Sequence, residues 1–141
     1  MIEIYFEETE ILDLNSEFFV LWLSKVCSKE DQELGDLTFV FCSDDYLLEV
    51  NKKHLDHDFY TDIITFDYTD EVVSGDLFIS IDRVRDNADS NKVTFNKELH
   101  RVIVHGVLHL LGYGDKDDEE KTNMRSLEDK YLEFVSRETY K

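Results

Sequence analysis

Two histidines, a glycine and an aspartate follow one another at fixed spacing in residues 105–115 (HGVLHLLGYGD). His105 and His109 are four residues apart, so on a helix both imidazoles lie on one face, about 6 Å apart along the axis. Gly112 suits the left-handed position that ends a helix, and a chain reversal there would bring Asp115 back towards the imidazoles. Two imidazoles and one carboxylate can bind Zn²⁺ or another divalent cation and leave one coordination position open, as catalytic sites do. The sequence therefore predicts a metal site in which His105, His109 and Asp115 are both the ligands and the catalytic residues.

The same spacing occurs in the zinc peptidase motif H-E-x-x-H-x-x-G-x-x-H. The Glu after the first His of that motif is the general base, and Gly106 occupies its place here. Peptide hydrolysis by the usual route is therefore disfavoured. Two His and one carboxylate are also the facial triad of non-haem iron enzymes. An atypical metallopeptidase and an iron enzyme stay open as alternatives.

The elements that must position these residues are predicted from hydrophobic periodicity and capping residues. Thr94 is a suitable N-cap for a long helix that carries both histidines and ends at Gly112. Four strands are predicted, at Ile2 to Phe6, Leu37 to Cys42, Ile63 to Phe66 and Leu77 to Ile81. Further helices are predicted after Asn15, after Ser43, from about Asp82 to Ala88 and from about Asp118. The pattern predicts an α+β fold in which about five helices pack with a four-stranded mixed sheet.

Length and composition limit the class of protein. The 141 residues predict a single domain, 1–141. The formal net charge is −18, which excludes long-range attraction to a polyanion, so any nucleic-acid contact must come from a local groove. The N-terminus has acids where a signal peptide would have bases, and no apolar run is long enough to span a bilayer. We expect a cytoplasmic protein without a membrane partner.

Several segments match blocks of one known family. The histidine segment, HGVLHLLGY from His105 to Tyr113, is close to the form H-G-x-L-H-L-x-G-Y-D-H. Further matching blocks are Asn51 followed by Thr61 to Phe66 (TDIITF), Gly75 to Ser80 (GDLFIS), and Met124 with Glu128. On these residues the chain, from about Leu37 to Glu128, resembles the YbeY endoribonucleases, also called ribosomal RNA maturation factors.

The resemblance implies metal-dependent hydrolysis of single-stranded RNA in a bacterium, in ribosomal RNA maturation and ribosome quality control. The implied partners are ribosomal RNA, with ribosomal proteins or an assembly GTPase as further candidates. The chain departs from the family pattern at three positions. Asp115 stands in place of the usual third His, Gly114 in place of an Asp, and Leu55 in place of an Arg. Because that Arg is missing, a non-enzymatic ribosome-assembly factor with a structural metal stays open as a further alternative.

Candidate substrate-binding residues lie outside the histidine motif. Lys52 or Lys53 are candidates to replace the missing Arg, and His54 is a candidate for the wall of a substrate groove. The best candidates for a phosphate-facing patch are Arg83, Arg85 and Arg101. The default interpretation of all these residues is that their side chains are solvent-exposed charges on a helix or loop. These candidates are Lys52, Lys53, His54, Arg83, Arg85 and Arg101.

The sequence also gives expected positions for two more polar residues. Asp62 either orients a metal-bound His as a hydrogen-bond acceptor or faces solvent on an edge strand. His100 lies five residues before His105, so it points elsewhere on the helix, and we expect it at the surface.

Overall fold

The computed structural model describes residues 1–139, with side chains described through residue 135. Within this part of the chain, four strands form one sheet in the order β1-β2-β4-β3. The strands are β1 (Ile2–Glu7), β2 (Leu34–Cys42), β3 (Ile63–Asp67) and β4 (Val73–Ser80). β2 pairs in parallel with β1 and β4, whereas β3 pairs antiparallel to β4. The sheet is therefore mixed, and the predicted α+β fold is confirmed.

Five helices in the described residues pack with this sheet. They are α1 (Ser16–Lys29), α2 (Asp44–Leu55), α3 (Ile81–Asn91), α4 (Phe95–Leu110) and α5 (Asp118–Thr139). The predicted caps are confirmed for three helices, since Asn15, Ser43 and Thr94 accept hydrogen bonds from the third residue of α1, α2 and α4. Within the described residues, no helix has both the length and the apolar character needed to cross a bilayer.

Some element boundaries differ from the prediction. β4 begins at Val73 rather than Leu77 because Gly75 and Asp76 pair with β2 on one side and β3 on the other. Glycine and aspartate are poor strand formers, so their extended conformation comes from these neighbours rather than from local preference. α3 likewise continues past Ala88 to Asn91.

Helix α4 is the central element of the larger core. Its residues Leu99, Ile103, Val107 and Leu108 are fully buried among residues of the sheet and of α1, α3 and α5. A smaller cluster on the opposite sheet face joins Leu47 of α2 to Cys42 and Ile64. The residues at the end of α4 are therefore held by packing on several sides.

The expected surface position of His100 is wrong. Its side chain is buried, and its ring lies 5.4 Å from the ring of Trp22 and 5.6 Å from that of Phe19. Its Nδ1 lies 2.6 Å from the carbonyl oxygen of Asn96. Burial lowers the pKa of His100, although the hydrogen bond to that carbonyl opposes the shift. The aromatic side chains of α1 cover this part of α4, which the spacing of residues within α4 does not reveal.

Candidate metal centre

The end of α4 turns the chain back as the sequence predicts. Gly112 has a φ of 103°, a backbone conformation that strongly favours glycine. The N–H of Gly112 donates to the carbonyl of His109, and that of Tyr113 donates to the carbonyl of Leu108. These two bonds are the Schellman arrangement that ends helices. The loop after Gly112 therefore passes close to the last turn of α4.

This turn brings the three predicted ligands together. The Nε2 atoms of His105 and His109 are 3.0 Å apart. Oδ2 of Asp115 lies 3.3 Å from the first and 3.4 Å from the second. The side chains of His105, His109 and Asp115 are 23%, 26% and 41% exposed, so the cluster is accessible from one side. Within the described residues, this is the one group of ligand-type side chains close enough to share an ion.

The other nitrogen of each imidazole is held by a hydrogen-bond acceptor. Nδ1 of His105 lies 2.7 Å from Oε2 of Glu128, and Nδ1 of His109 lies 2.8 Å from the carbonyl oxygen of Tyr113. A carboxylate and a carbonyl only accept, so we assign the ring proton to Nδ1 in both histidines. Each neutral ring then directs its Nε2 lone pair at the same point as the Asp115 carboxylate. Three electron-pair donors facing one another fit a bound cation, so the donor set fits a divalent metal.

Nearby charges also favour a positive charge at this point. Burial lowers the pKa of His105, but the hydrogen bond and negative charge of Glu128 outweigh it, with further help from Asp115. The net effect is a pKa above the ordinary value for histidine. The surroundings of the ring therefore favour a positive charge at this point over a neutral state.

Glu128 is the functional residue that the sequence did not identify as such. In the sequence it is only part of a block, with Met124, that matches the pattern of the resembled family. Its side chain is 6% exposed, and it accepts from Arg101 at 2.9 Å as well as from His105. A signal was present in the sequence. Glu128 is four residues after Met124 and three before Tyr131, so it lies on the apolar face of α5. An acid on the buried face of a helix requires a partner.

Arg101 lies at the centre but is already paired. Its guanidinium donates to Glu128 at 2.9 Å and to Asp129 at 2.8 Å, and its side chain is 13% exposed. It therefore holds the carboxylate that orients His105. A contact of Arg101 with substrate phosphate stays a prediction.

The other predicted substrate-binding residues lie apart from this centre. Arg83 forms a two-pronged ion pair with Asp44 at the start of α2. Lys52 lies within 3.7 Å of Glu49 and 3.5 Å of Asp58. Lys53 is exposed, and the ring of His54 packs on that of Phe66. None of Lys52, Lys53, His54 and Arg83 lines the cavity beside the metal ligands, and their role in substrate binding stays a prediction.

Asp62 fits neither of its two expected roles fully. It immediately precedes β3 and lines the cavity beside His105. The acceptor for Nδ1 of His105 is Glu128 rather than Asp62. Burial raises the pKa of Asp62, while the charge of His105 and backbone N–H donors oppose the rise. Asp62 is thus a partly buried acid close to the centre and does not orient the ring.

Gly106 has a packing role that bears on the peptidase alternative. A Cβ at this position would lie 2.5 Å from Cδ2 of Leu77 and 2.7 Å from Cδ1 of Ile63. Residue 106 therefore faces the sheet, on the side of α4 away from solvent. A glutamate here has no room. The arrangement excludes the usual general base of zinc peptidases at the position where their motif carries it.

Comparisons with known proteins agree with one another. A family model described as "Endoribonuclease YbeY" matches residues 3–136. Proteins named Endoribonuclease YbeY are similar to this chain over most of its length. The one from Phocaeicola vulgatus is 44% identical over 137 residues, 96% of this chain and 99% of the relative. The one from Cytophaga hutchinsonii is 52% identical over 113 residues, 79% of each chain.

A solved structure has the same overall fold. The solution structure of TM1509 from Thermotoga maritima superposes with a TM-score of 0.69 at 30% sequence identity. The match covers 98% of this chain and 91% of the other. Sheet and helices are therefore shared along nearly the whole chain.

Proposed function

This chain belongs to the YbeY endoribonuclease family, and on that basis we propose that it hydrolyses single-stranded RNA in ribosomal RNA maturation and ribosome quality control. The reaction depends on one divalent cation held by His105, His109 and Asp115, and Zn²⁺ is the metal that this ligand set suits best. The single domain 1–141 acts in the cytoplasm, where ribosomal RNA is its substrate. Ribosomal proteins or an assembly GTPase are candidate partners.

The observation that carries the proposal is the convergence of two Nε2 lone pairs and one carboxylate on an accessible point. A divalent cation bound there would polarise a phosphoryl oxygen and offset negative charge on the phosphate. The chain's own residues prepare the site beforehand. Glu128 and the carbonyl of Tyr113 fix the tautomer and orientation of the two rings.

The loop that carries Asp115 is itself anchored. The hydroxyl of Tyr113 donates to Glu30, the residue that caps α1. Glu30 also accepts from the hydroxyl of Tyr131 on α5. The position of Asp115 therefore depends on contacts with both α1 and α5, and a substrate meets a ligand set that is already assembled.

The overall charge restricts how RNA reaches this site. A net charge of −18 repels a phosphodiester backbone at long range. Binding must therefore come from the cation and from a few basic side chains at the site. Single-stranded RNA suits this arrangement, since an unpaired segment can enter a groove beside the helices.

The proposal is tested with an end-labelled single-stranded RNA and a duplex of the same sequence. Protein stripped of metal and reloaded with Zn²⁺ is expected to cleave the single strand in preference to the duplex, and stripped protein is expected to cleave neither. Asp115→Asn keeps the shape of the side chain but removes its charge. This variant is expected to lower the rate about 100-fold or more, because it weakens the hold on the cation.

Asp89→Asn is the matched control, since Asp89 is an exposed acid on α3 that does not line the cavity. It is expected to cleave like the parent protein. Cleavage that persists in protein shown to hold no metal would contradict the proposal. So would full activity in Asp115→Asn. Activity restored by Fe²⁺ and oxygen but not by Zn²⁺ would favour the iron alternative.

A further inference from the structure

The carbonyl of Tyr113, which accepts from His109, lies in a loop rather than in a helix. Residues 113–115 belong to no helix or strand, so helical or sheet hydrogen bonding does not fix the direction of this carbonyl. The other imidazole is oriented differently, since Glu128 is a side chain on α5 and is itself held by Arg101. The orientation of His109 therefore depends on what holds Tyr113.

Tyr113 is held at three points. Its backbone N–H donates to the carbonyl of Leu108 at 3.0 Å. Its carbonyl oxygen lies 2.8 Å from Nδ1 of His109. Its hydroxyl donates to Oε1 of Glu30, which is 83 residues earlier in the chain. The first two contacts join the loop to the helix that precedes it, and the third joins it to a separate element.

Glu30 is a fixed partner for this hydroxyl. It ends α1, and its backbone N–H donates to the carbonyls of Cys27 and Ser28. Val26 and Cys27, close to that end of the helix, are fully buried, and the side chain of Glu30 is half-buried. Because close-packed residues move little, the end of α1 is a rigid support for the carboxylate.

A second phenol holds the same carboxylate. The hydroxyl of Tyr131, a fully buried residue of α5, donates to Oε2 of Glu30. A carboxylate only accepts and has two oxygens, so each phenol bonds to a different oxygen. The indole of Trp22 on α1 also donates to the carbonyl of Tyr131 at 3.0 Å. These contacts fix the direction of the Glu30 side chain, with Oε1 facing the loop.

We propose that Glu30 is a positioning residue of the predicted metal centre, which acts through Tyr113 to keep Nε2 of His109 directed at the other two ligands. The inference rests on the proposed function and adds a residue outside the ligand set. Without the Glu30 contact, the Tyr113 carbonyl is free to turn away, and Nδ1 of His109 loses its acceptor. The ring proton can then move to Nε2, where it prevents that atom from binding a cation.

Ring ¹⁵N–¹H spectra of the metal-free protein report the tautomer directly. The chain has five histidines, and the spectra are recorded at alkaline pH, where the rings are neutral. The parent protein is expected to show His109 in the Nδ1–H form. Tyr113→Phe removes the hydroxyl that reaches Glu30 and keeps the carbonyl. Its His109 signal is expected to lose intensity to the Nε2–H form, and Glu30→Ala is expected to give the same loss.

Affinity for metal is the second readout. The dissociation constant for Zn²⁺, measured by competition with a chromogenic chelator, is expected to rise about 10-fold in Tyr113→Phe and in Glu30→Ala. Tyr5→Phe is the matched control, because the Tyr5 hydroxyl donates to the carboxylate of Glu3 at 2.6 Å on β1. Neither of these two residues lines the cavity beside the metal ligands. The control is expected to bind Zn²⁺ like the parent.

Tyr131→Phe separates positioning from support of the fold. It removes the other phenol from Glu30 and leaves the contact with Tyr113 in place. Its melting temperature is expected to fall, because a hydrogen bond is lost. Its dissociation constant for Zn²⁺ is expected to stay within about threefold of the parent. Equal losses of affinity in Tyr113→Phe and Tyr131→Phe would show that Glu30 only supports the fold, and would overturn the inference.

The tautomer keeps this result distinct from the proposed function. If no RNA is cleaved with any metal, the proposed function fails, and the spectra of the metal-free variants still decide the role of Glu30. Loss of the Nδ1–H signal of His109 in both Tyr113→Phe and Glu30→Ala supports that role. A His109 ring that keeps its proton on Nδ1 in both variants overturns it.

Discussion

At the scale of single residues, one buried carboxylate controls the predicted metal centre. Glu128 fixes the proton of His105 on Nδ1 and is itself held by Arg101. A ligand ring that is fixed in this way loses little freedom when a cation binds. The negative charge of Glu128 also makes Nε2 of His105 a stronger electron-pair donor to a cation. We therefore expect the affinity for metal to be set partly by a residue that does not touch the ion.

Glu128→Gln tests this role. Glutamine keeps the size and one acceptor oxygen, but it removes the charge that strengthens His105. We expect the dissociation constant for Zn²⁺ to rise about 10- to 100-fold, measured by competition with a chromogenic chelator.

Glu119→Gln is the control, because Glu119 is an exposed acid on the same helix. It is expected to bind Zn²⁺ like the parent. A folded Glu128→Gln protein with unchanged affinity would show that the carboxylate has no influence on the centre.

The sequence was sufficient to bring the three predicted ligand side chains together, but not to identify the residues that orient them. His105, His109 and Asp115 lie within eleven residues, so helix geometry and one glycine turn are enough to bring them together. Glu128 and the carbonyl of Tyr113 are acceptors whose positions depend on how α5 and the loop pack on α4. No spacing rule within one segment contains that information.

At the scale of elements, the approach of α4 to the sheet determines where the predicted metal ligands lie. Gly106 lets the helix pack directly on Leu77 of β4 and Ile63 of β3. The sequence shows this glycine only as a missing general base. Its packing role depends on β3 and β4, which are distant from it in sequence.

Gly106→Ala tests the close approach. The new Cβ meets Leu77 at 2.5 Å, and Leu77 is fully buried, so the helix or the side chain must shift. Overpacking costs about 1–3 kcal/mol, against a gain of up to about 1 kcal/mol in helix propensity. We expect a net loss of about 1–2 kcal/mol in the free energy of unfolding, measured with urea on metal-free protein.

Gly114→Ala is the matched control, because its Cβ meets only the end of the Glu120 side chain. Its free energy of unfolding is expected to stay within about 0.5 kcal/mol of the parent. If Gly106→Ala were equally neutral, α4 would have more room above the sheet than the structure gives it.

At the scale of the whole molecule, the ligand set links parts of the chain that otherwise lie apart. His105 and His109 belong to α4, Asp115 to the following loop, and Glu128 to α5. The two Nε2 atoms and a carboxylate oxygen lie within 3.0 to 3.4 Å of one another. A cation bound to all three would contact them only in the folded state, so we expect metal binding and folding to be coupled.

Removal of metal is therefore expected to lower the melting temperature. A cation present at 100 times its dissociation constant stabilises the folded state by about 2.7 kcal/mol, which for a chain of this size corresponds to a shift of about 8–13 °C. Calorimetry of the Zn²⁺-loaded protein and of protein stripped by a chelator, with the metal content of both measured, gives the shift. Asp115→Asn weakens the site without touching the core, so its melting temperature should respond much less to Zn²⁺. The parent protein could instead melt at the same temperature with and without bound metal. That result would show that packing alone holds the three predicted ligands and Glu128 in place, and that the cation does not contribute to folding.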